Sequence, residues 1–219
     1  MRLPTPRGPL SEHVVATLAQ PPHRVEPVPG DTGDDPLEGE DLPLALHTLY
    51  ELHYRSYDGV DDGWEWEPSL LAVRATLEGA MLSRLREAVR AEPPAADVAA
   101  QIVRMVAADD GPSVSRYLHR SGTCEQFREF LVHRSIYHLM EADPHTCAIP
   151  RLSGGPKAAL VEIQSDEYGG GRPEWMHAAL FARAMRALDL DDRPGAYVVA
   201  VPGSTLAMVN LMSLLGLHR

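Results

Sequence analysis

The sequence predicts an all-α protein, and three observations lead to this prediction. Good helix formers dominate the chain and runs of β-branched residues are scarce, a composition that favours helices over strands. Apolar residues recur three and four positions apart along most of the chain, which is the period of an amphipathic helix. Prolines and glycines separate these periodic segments, as they do at helix boundaries.

Length and composition limit the classes of function. The chain has 219 residues, of which 44% are hydrophobic, so it is long enough for one domain with a substantial core. The net charge of −11 argues against nucleic acids and anionic membranes as partners. Two cysteines, Cys124 and Cys147, are interpreted as inert buried thiols in a reducing compartment. Because neither a leader sequence nor an apolar run of 18 residues occurs, we predict a soluble, cytoplasmic protein.

The N-terminal segment, residues 1–38, is predicted to be a disordered tail or an extended arm on the surface. It contains eight prolines, and a chain this rich in proline rarely forms continuous helix. Residues 13–20 are compatible with a short helical turn that Pro21 and Pro22 would stop. The helical domain is then expected to comprise residues 39–219.

Apolar stripes predict helices before and after the central part of the chain, at residues 41–56, 68–90, 95–108, 113–119 and 206–217. Before the second of these, Trp64 is expected to close one end of the core together with Trp66. In the third, the residues expected to face the core are Val98, Ile102, Val103 and Val106. The last helix is apolar nearly all round except at Asn210, so it should pack between other helices. Ser204 or Thr205 is its expected N-cap.

The helix that follows Thr123 carries the first candidate metal ligand. Thr123 and Gln126 have the spacing of a capping box. From Phe127 onwards, an inward stripe at spacings of three and four continues through His138 to Glu141. Glu141 is therefore predicted to face the core, where an unpaired carboxylate is costly.

Two more inward stripes contain candidate ligands. One consists of Leu160, Ile163 and Glu167, and the other of His177, Phe181, Ala184 and Leu188. Two carboxylates and an imidazole inside one core would disfavour one another without a cation. With iron they would form the oxygen and nitrogen ligand set of helical di-iron carboxylate proteins. A single such residue, however, is more often hydrogen-bonded to backbone or paired with arginine.

The segments between these stripes are irregular. Residues 142–156 contain Pro144 and Pro150, and a loop of this kind next to a site suits a lid or channel wall. Gly169–Gly171 interrupts the second stripe, and Pro173 is placed to start a new helix. The three glycines would let the chain turn so that Glu167 and His177 approach one point. A helix C-cap with a hinge is equally compatible with them.

Four segments carry a resemblance to a known family. They are Glu-Ala-Asp-Pro at 141–144, Ile-Pro-Arg-Leu at 149–152, Asp-Glu-Tyr-Gly-x-Gly at 166–171, and the closing residues 209–219. In these segments the chain resembles the iron-containing redox enzymes with a haem-oxygenase-like fold, also described as haem-oxygenase-like di-iron oxidases. The resemblance extends from about residue 46 to the end and is densest over 127–219. It implies an all-α, haem-oxygenase-like helical bundle that binds no haem.

The resemblance also implies a ligand set. The family's first ligands are a Glu, a second Glu about 26 positions later, and a His about ten positions after that. In this chain Glu141 and Glu167 are 26 positions apart, and Glu167 and His177 are ten apart. The implied cofactor is one or two non-haem irons that activate O₂ to oxidise a small organic substrate.

Three neighbouring residues are candidates to support these ligands. His138, one turn before Glu141, is compatible with a fourth ligand, although a role around the metal is favoured. Asp166 and Tyr168 flank Glu167 and would act around the metal or in proton transfer. The sequence is at least as compatible with Asp166 as a simple surface charge.

The chain also departs from the family pattern. Family members draw further ligands from later helices, and no such segment follows within these 219 residues. We therefore expect a bundle that is incomplete at the C-terminus, which a homodimer would cover. The alternative to an enzyme is a catalytically inactive helical binding or dimerisation module. A third interpretation, a thiaminase-like enzyme of the same fold, would use Cys147 as its nucleophile.

Overall fold

Helices account for all regular structure in the computed structural model, which describes residues 1–30, 33–90, 93 and 95–218. The predicted all-α fold class is confirmed. The α-helices are α1 (Pro9–Leu18), α2 (Asp41–Glu51), α3 (Pro68–Ala88), α4 (Val98–Ala107), α5 (Val114–Ser121), α6 (Cys124–His138), α7 (Asp143–Thr146), α8 (Gly154–Glu167), α9 (His177–Ala187) and α10 (Gly203–Leu217). Short 3₁₀ turns occur at Asp62–Trp66, Ile149–Arg151, Gly169–Gly171, Pro173–Trp175 and Val198–Ala200. The sequence Glu92-Pro93-Pro94 also predicts the end of the helix at residues 68–90, but Glu92 and Pro94 lie outside the described residues.

Helix α2 forms the centre of the core. Every one of its 11 residues is buried, and it contacts both α1 and α10. Leu42, Leu46 and Leu49 are almost inaccessible to solvent, and burial of each such side chain stabilises the fold by roughly 1.5–3 kcal/mol. The helix ends at Glu51, five residues before the predicted end, and residues 52–55 form turns instead of continuing it.

The N-terminal segment contains a packed helix, which corrects the predicted tail for residues 9–18. Leu10, Val14 and Leu18 of α1 are buried in the main core. The Asp41 carboxylate accepts hydrogen bonds from the Leu10 and Ser11 backbone N–H groups, both at 2.8 Å. This capping group lies about 30 positions away in sequence, so no local pattern marked where the helix starts.

Helix α10 packs between other helices, as its apolar composition predicted. It contacts α2, α6 and α7, and Asn210 is fully buried with its Nδ2 donating to the Pro43 carbonyl at 2.9 Å. The helix begins at Gly203 after the N-cap Pro202, so the predicted caps were wrong. A Cβ at Gly203 would lie 1.9 Å from the Gly39 carbonyl oxygen. Only glycine therefore permits this approach between the two backbones.

Helix α4 corrects a prediction of burial. The four side chains expected in the core, Val98, Ile102, Val103 and Val106, are each more than half exposed. Periodicity identifies an apolar face but not what covers it, and none of the described residues covers this one. Trp64 is buried as predicted, whereas Trp66 is exposed.

The cysteines also differ from the prediction. Cys124 is exposed at the start of α6, and Cys147 is partly buried after α7. Both are free thiols, and neither has the predicted burial. Among the described residues, no helix combines the length and apolar character needed to cross a membrane.

Candidate metal centre

The three candidate ligands lie at helix ends instead of within helices. Helix α6 stops at His138, so Glu141 lies in the turn that follows it. Glu167 is the last residue of α8, and His177 is the first residue of α9. A helix continued to Pro144 would lose a backbone hydrogen bond and bring the proline ring against the carbonyl of residue 140. This explains why α6 ends before Glu141, to which the predicted stripe extended.

The structure brings the three residues together. One potential ligand atom from each of Glu141, Glu167 and His177 can be chosen so that all three lie within 4.8 Å of one another. Ligand atoms on opposite sides of a transition metal are about 4.2 Å apart when each bond is about 2.1 Å. A single ion can thus bind all three after side-chain shifts of about half an ångström. Their role as ligands stays a prediction.

The glycine turn between α8 and α9 produces this approach. Gly169, Gly170 and Gly171 all have positive φ, between 58° and 81°. A Cβ at Gly169 would lie 2.7 Å from the backbone nitrogen of Met176. These glycines therefore allow the tight turn, one of the two interpretations of the sequence, and it returns the chain so that His177 lies beside Glu167.

The contact between Glu167 and His177 is suited to a cation. Glu167 Oε2 lies 2.6 Å from His177 Nδ1. Even so, this buried oxygen has no partner of hydrogen-bond geometry among the described residues. Two ligand-type atoms thus lie in contact, and one of them lacks a hydrogen-bond partner. Iron(II) binds carboxylate and imidazole ligands of this kind, so the residues present fit the metal implied by the resemblance.

His138 supports Glu141 from the last turn of α6. Arg134 Nε donates to His138 Nε2 at 3.1 Å, so the proton of the neutral ring must be on Nδ1. Nδ1 lies 3.2 Å from Glu141 Oε1, close to it but outside hydrogen-bond geometry. Burial lowers the pKa of His138, with a further contribution from Arg134, so the ring stays neutral at neutral pH. The ring also packs against Phe181 of α9, with centroids 5.0 Å apart.

We expect His138→Leu to lower iron(II) affinity by roughly 10- to 100-fold, the usual effect of removing a group that orients a metal ligand. The physical reason is that Glu141 would lose the imidazole nitrogen that lies 3.2 Å from its Oε1 atom. The control is His133→Gln on the same helix, which should leave iron affinity unchanged. Unchanged affinity in His138→Leu, measured by anaerobic titration, would show that His138 does not orient Glu141.

Asp166 and Tyr168 contribute less directly. The Asp166 side chain is 86% exposed and its Oδ2 lies 3.9 Å from His177 Nε2, which agrees with a surface charge. The Tyr168 hydroxyl lies 3.0 Å from Thr146 Oγ1 and donates to Asp143 Oδ1 at 3.1 Å. Burial raises the pKa of Tyr168, so its proton remains in place at neutral pH. Its contacts hold the turn after Glu141 and include none of the three ligands.

Arg55, Asp143 and Gln164 also shape the site, although sequence reasoning did not select them. Arg55 donates to the Leu139 carbonyl at 2.9 Å and lies 3.4 Å from Asp143 Oδ2. Gln164 is buried and donates to the Ala142 carbonyl at 2.9 Å. The turn with Glu141 is therefore held from α8 and from the end of α2. Arg55 is 84 positions from Leu139, so no spacing rule relates them.

The cavity at the site is very small. Glu141, Glu167 and His177 line a space of about 20 Å³ together with Arg55, Asp143 and neighbouring residues. A space of this size holds about one water-sized guest. It is therefore large enough for an ion and too small for an organic substrate.

Fold and site together define a helical protein with a candidate carboxylate–histidine metal centre. Residues 128–219 match the family of iron-containing redox enzymes. This match confirms the resemblance found in the sequence and supports a general iron-dependent redox role. All three candidate ligands lie within the matched residues. A search of curated proteins finds no match.

Proposed function

We propose that this protein is an iron-dependent, O₂-activating oxidase or oxygenase that acts on a small organic substrate. The observation that carries the proposal is the convergence of Glu141, Glu167 and His177 within 4.8 Å. This convergence occurs inside the segment that matches iron-containing redox enzymes. The fold match alone would not specify chemistry, since function depends on the site.

In the proposed mechanism, Glu141, Glu167 and His177 hold one or two non-haem irons. Iron(II), when bound, supplies the electrons that O₂ activation requires. Three protein ligands leave coordination positions free for small molecules. The two carboxylates carry two negative charges, which balance the charge of a divalent ion. The cavity of about 20 Å³ favours a single ion.

The surrounding residues position the ligands and limit water access. The His138 Nδ1 atom lies 3.2 Å from Glu141 Oε1, and Arg134 donates to the other ring nitrogen of His138. The Glu167 side chain is only 21% exposed, whereas His177 is 40% exposed. The site is therefore shielded on the Glu167 side and open on the His177 side, where a substrate would approach.

An open groove on the His177 side is the proposed substrate site. It has a volume of about 900 Å³ and includes Asp166 and His177 in its wall. The groove also contains Ile163 and Trp175, which are more than half exposed, and Arg172 lies over the Trp175 ring at 4.1 Å. These side chains suit a partly apolar substrate next to the metal.

Anaerobic titration of the metal-free protein with iron(II), followed by exposure to O₂, tests the proposal. We expect saturable uptake of one to two irons per chain and a transient optical absorption band after O₂ is added. The control is the same titration after the protein has been unfolded in urea, which should abolish uptake. Absence of iron uptake above that background would contradict the proposal.

A second candidate function is a catalytically inactive helical module that binds a second copy of itself. The exposed apolar side chains of α4 favour it, because large exposed apolar surfaces often mark interaction sites. Light scattering after size-exclusion chromatography, with and without iron, distinguishes the iron-dependent enzyme from the inactive module. A dimer that is indifferent to iron, in a protein that takes up no iron, would favour the inactive module.

A further inference from the structure

A second cavity lies between the N-terminal residues and the loop after α9. It has a volume of about 720 Å³, and its wall includes residues 1–5, Arg55 and residues 193–196. This volume is within the range of roughly 300–1,000 Å³ that is typical of small-molecule sites. The ligands of the candidate metal centre are absent from its wall. The cavity is therefore a feature distinct from the iron site.

The wall of this cavity contains three arginines, although the protein as a whole is acidic. Arg2, Arg55 and Arg193 line it, and the acidic side chain in its wall is Asp58. Asp58 Oδ1 is occupied by the Met1 nitrogen at 3.1 Å. Asp143 and Asp191, which lie outside the wall, pair with Arg55 and Arg193. Among the described residues Arg2 forms no ion pair, so its positive charge is uncompensated and attracts anions to this position.

Two of the arginines are held in place while part of their hydrogen-bonding capacity is unused. Arg55 donates through one terminal nitrogen to the Leu139 carbonyl. Arg193 uses Nε and one terminal nitrogen for the Asp191 carboxylate. A guanidinium group has five N–H donors, so each side chain retains donors for a ligand. Anchored guanidinium groups lose less entropy when they bind a carboxylate.

Most of the remaining wall residues are apolar, and Thr5 is the polar exception. The apolar part is formed by Leu3, Pro4, Tyr57, Pro194, Ala196, Val198 and Val199. A purely inorganic anion would leave this surface exposed to water, whereas a ligand with a hydrocarbon part would cover it. Charge and apolar surface thus point to the same ligand class.

We propose that this cavity binds a small organic acid. Its carboxylate interacts with Arg2, Arg55 and Arg193, and its hydrocarbon part lies against the apolar wall near Val198. The proposal does not depend on iron binding, because none of these residues is a candidate metal ligand. Arg55 also lines the small cavity at the metal centre, so the acid and the metal share one wall residue.

Ligand-observed NMR and calorimetric titration of the full chain, without added metal, test the proposal with hexanoate as the probe. Hexanamide has the same hydrocarbon part without the charge, and inorganic phosphate has charge without a hydrocarbon part. We expect hexanoate to bind at least about tenfold more tightly than either compound, because the carboxylate and the chain each contribute. Equal binding of hexanoate and hexanamide, or tighter binding of phosphate, would overturn the proposal.

Substitutions in the wall provide the second part of the test. The double variant Arg2→Gln/Arg193→Gln should weaken hexanoate binding by about tenfold or more. Both side chains are exposed, so the fold should be retained, and circular dichroism checks this. Arg183→Gln, an exposed arginine of α9 outside the cavity, is the matched control. Equal affinity in the double variant and the control would overturn the proposal, while iron titration of the same proteins tests the metal centre separately.

Discussion

Glu167→Gln is expected to lower the iron(II) affinity of this protein by more than about 100-fold. Loss of a residue that merely orients a ligand typically costs 10- to 100-fold, so loss of a ligand should cost more. Glutamine keeps the size of the side chain but removes its charge and replaces one oxygen with an N–H₂ group. The oxygen affected by the substitution is the buried Oε2, which lies 2.6 Å from His177 Nδ1.

Anaerobic iron(II) titration of the variant measures this effect. Glu162→Gln is the matched control, since Glu162 is an exposed residue of the same helix and should leave iron affinity unchanged. The variant should keep its fold and be at least as stable as the natural protein without metal, because it removes one of two neighbouring carboxylates. If Glu167→Gln bound iron(II) as tightly as the natural protein, Glu167 would not be a metal ligand.

Two buried groups on α2 are expected to give opposite pH dependences of stability that nearly cancel. Burial raises the pKa of Glu51 to about 7, against the opposing effect of Arg55. Burial, with a contribution from Arg7, lowers the pKa of His47 to about 4. The other charged groups that affect Glu51 are Asp143 and the Met1 amino group.

The sign of each contribution follows from proton binding. Between pH 4.5 and 7, folded Glu51 binds more protons than the unfolded chain, so its contribution to stability is lost as pH rises towards 7. Between pH 4 and 6.5, folded His47 binds fewer protons, so its contribution is lost as pH falls towards 4. Each shift corresponds to about 3 kcal/mol. In the natural protein the two slopes therefore largely cancel between pH 4.5 and 6.5.

Single substitutions should reveal each slope. As pH increases from 4.5 to 6.5, the free energy of unfolding of Glu51→Gln should rise by about 3 kcal/mol more than that of the natural protein. In His47→Gln it should fall by about the same amount over this range. Urea unfolding of the metal-free proteins measures both, and the double variant is the control because its profile should match that of the natural protein. Parallel profiles in all four proteins would show that neither group has a shifted pKa.

The candidate ligands could be selected from the sequence because the helical stripes that contain them are local patterns. Helix periodicity placed Glu141, Glu167 and His177 on core-facing stripes, and their spacing of 26 and ten positions matched a family pattern. The capping box of Thr123 and Gln126 was also predicted, and the structure confirms it. The stripes and the capping box depend on residues within a few turns of each other, so both can be recognised in the sequence, whereas the spacing of 26 and ten positions was recognised through the family resemblance.

Other features were missed because they depend on distant parts of the chain. Helix α1 is capped by Asp41, and the turn that carries Glu141 is held by Arg55 from the end of α2. The apolar face of α4 has the same periodicity as a buried helix, yet it is exposed. The spacing of apolar residues along a helix does not show which surface, if any, packs against them.

The sequence by itself determined the all-α class, most helix positions, the family resemblance and the identities of three candidate ligands. Only the tertiary structure decided that these ligands lie at helix ends around a space of about 20 Å³, and that arginines from separate segments line a second cavity. The physical reason is that helix formation is set largely by residues within one or two turns. Convergence of side chains depends on how helices and turns far apart in the chain pack together.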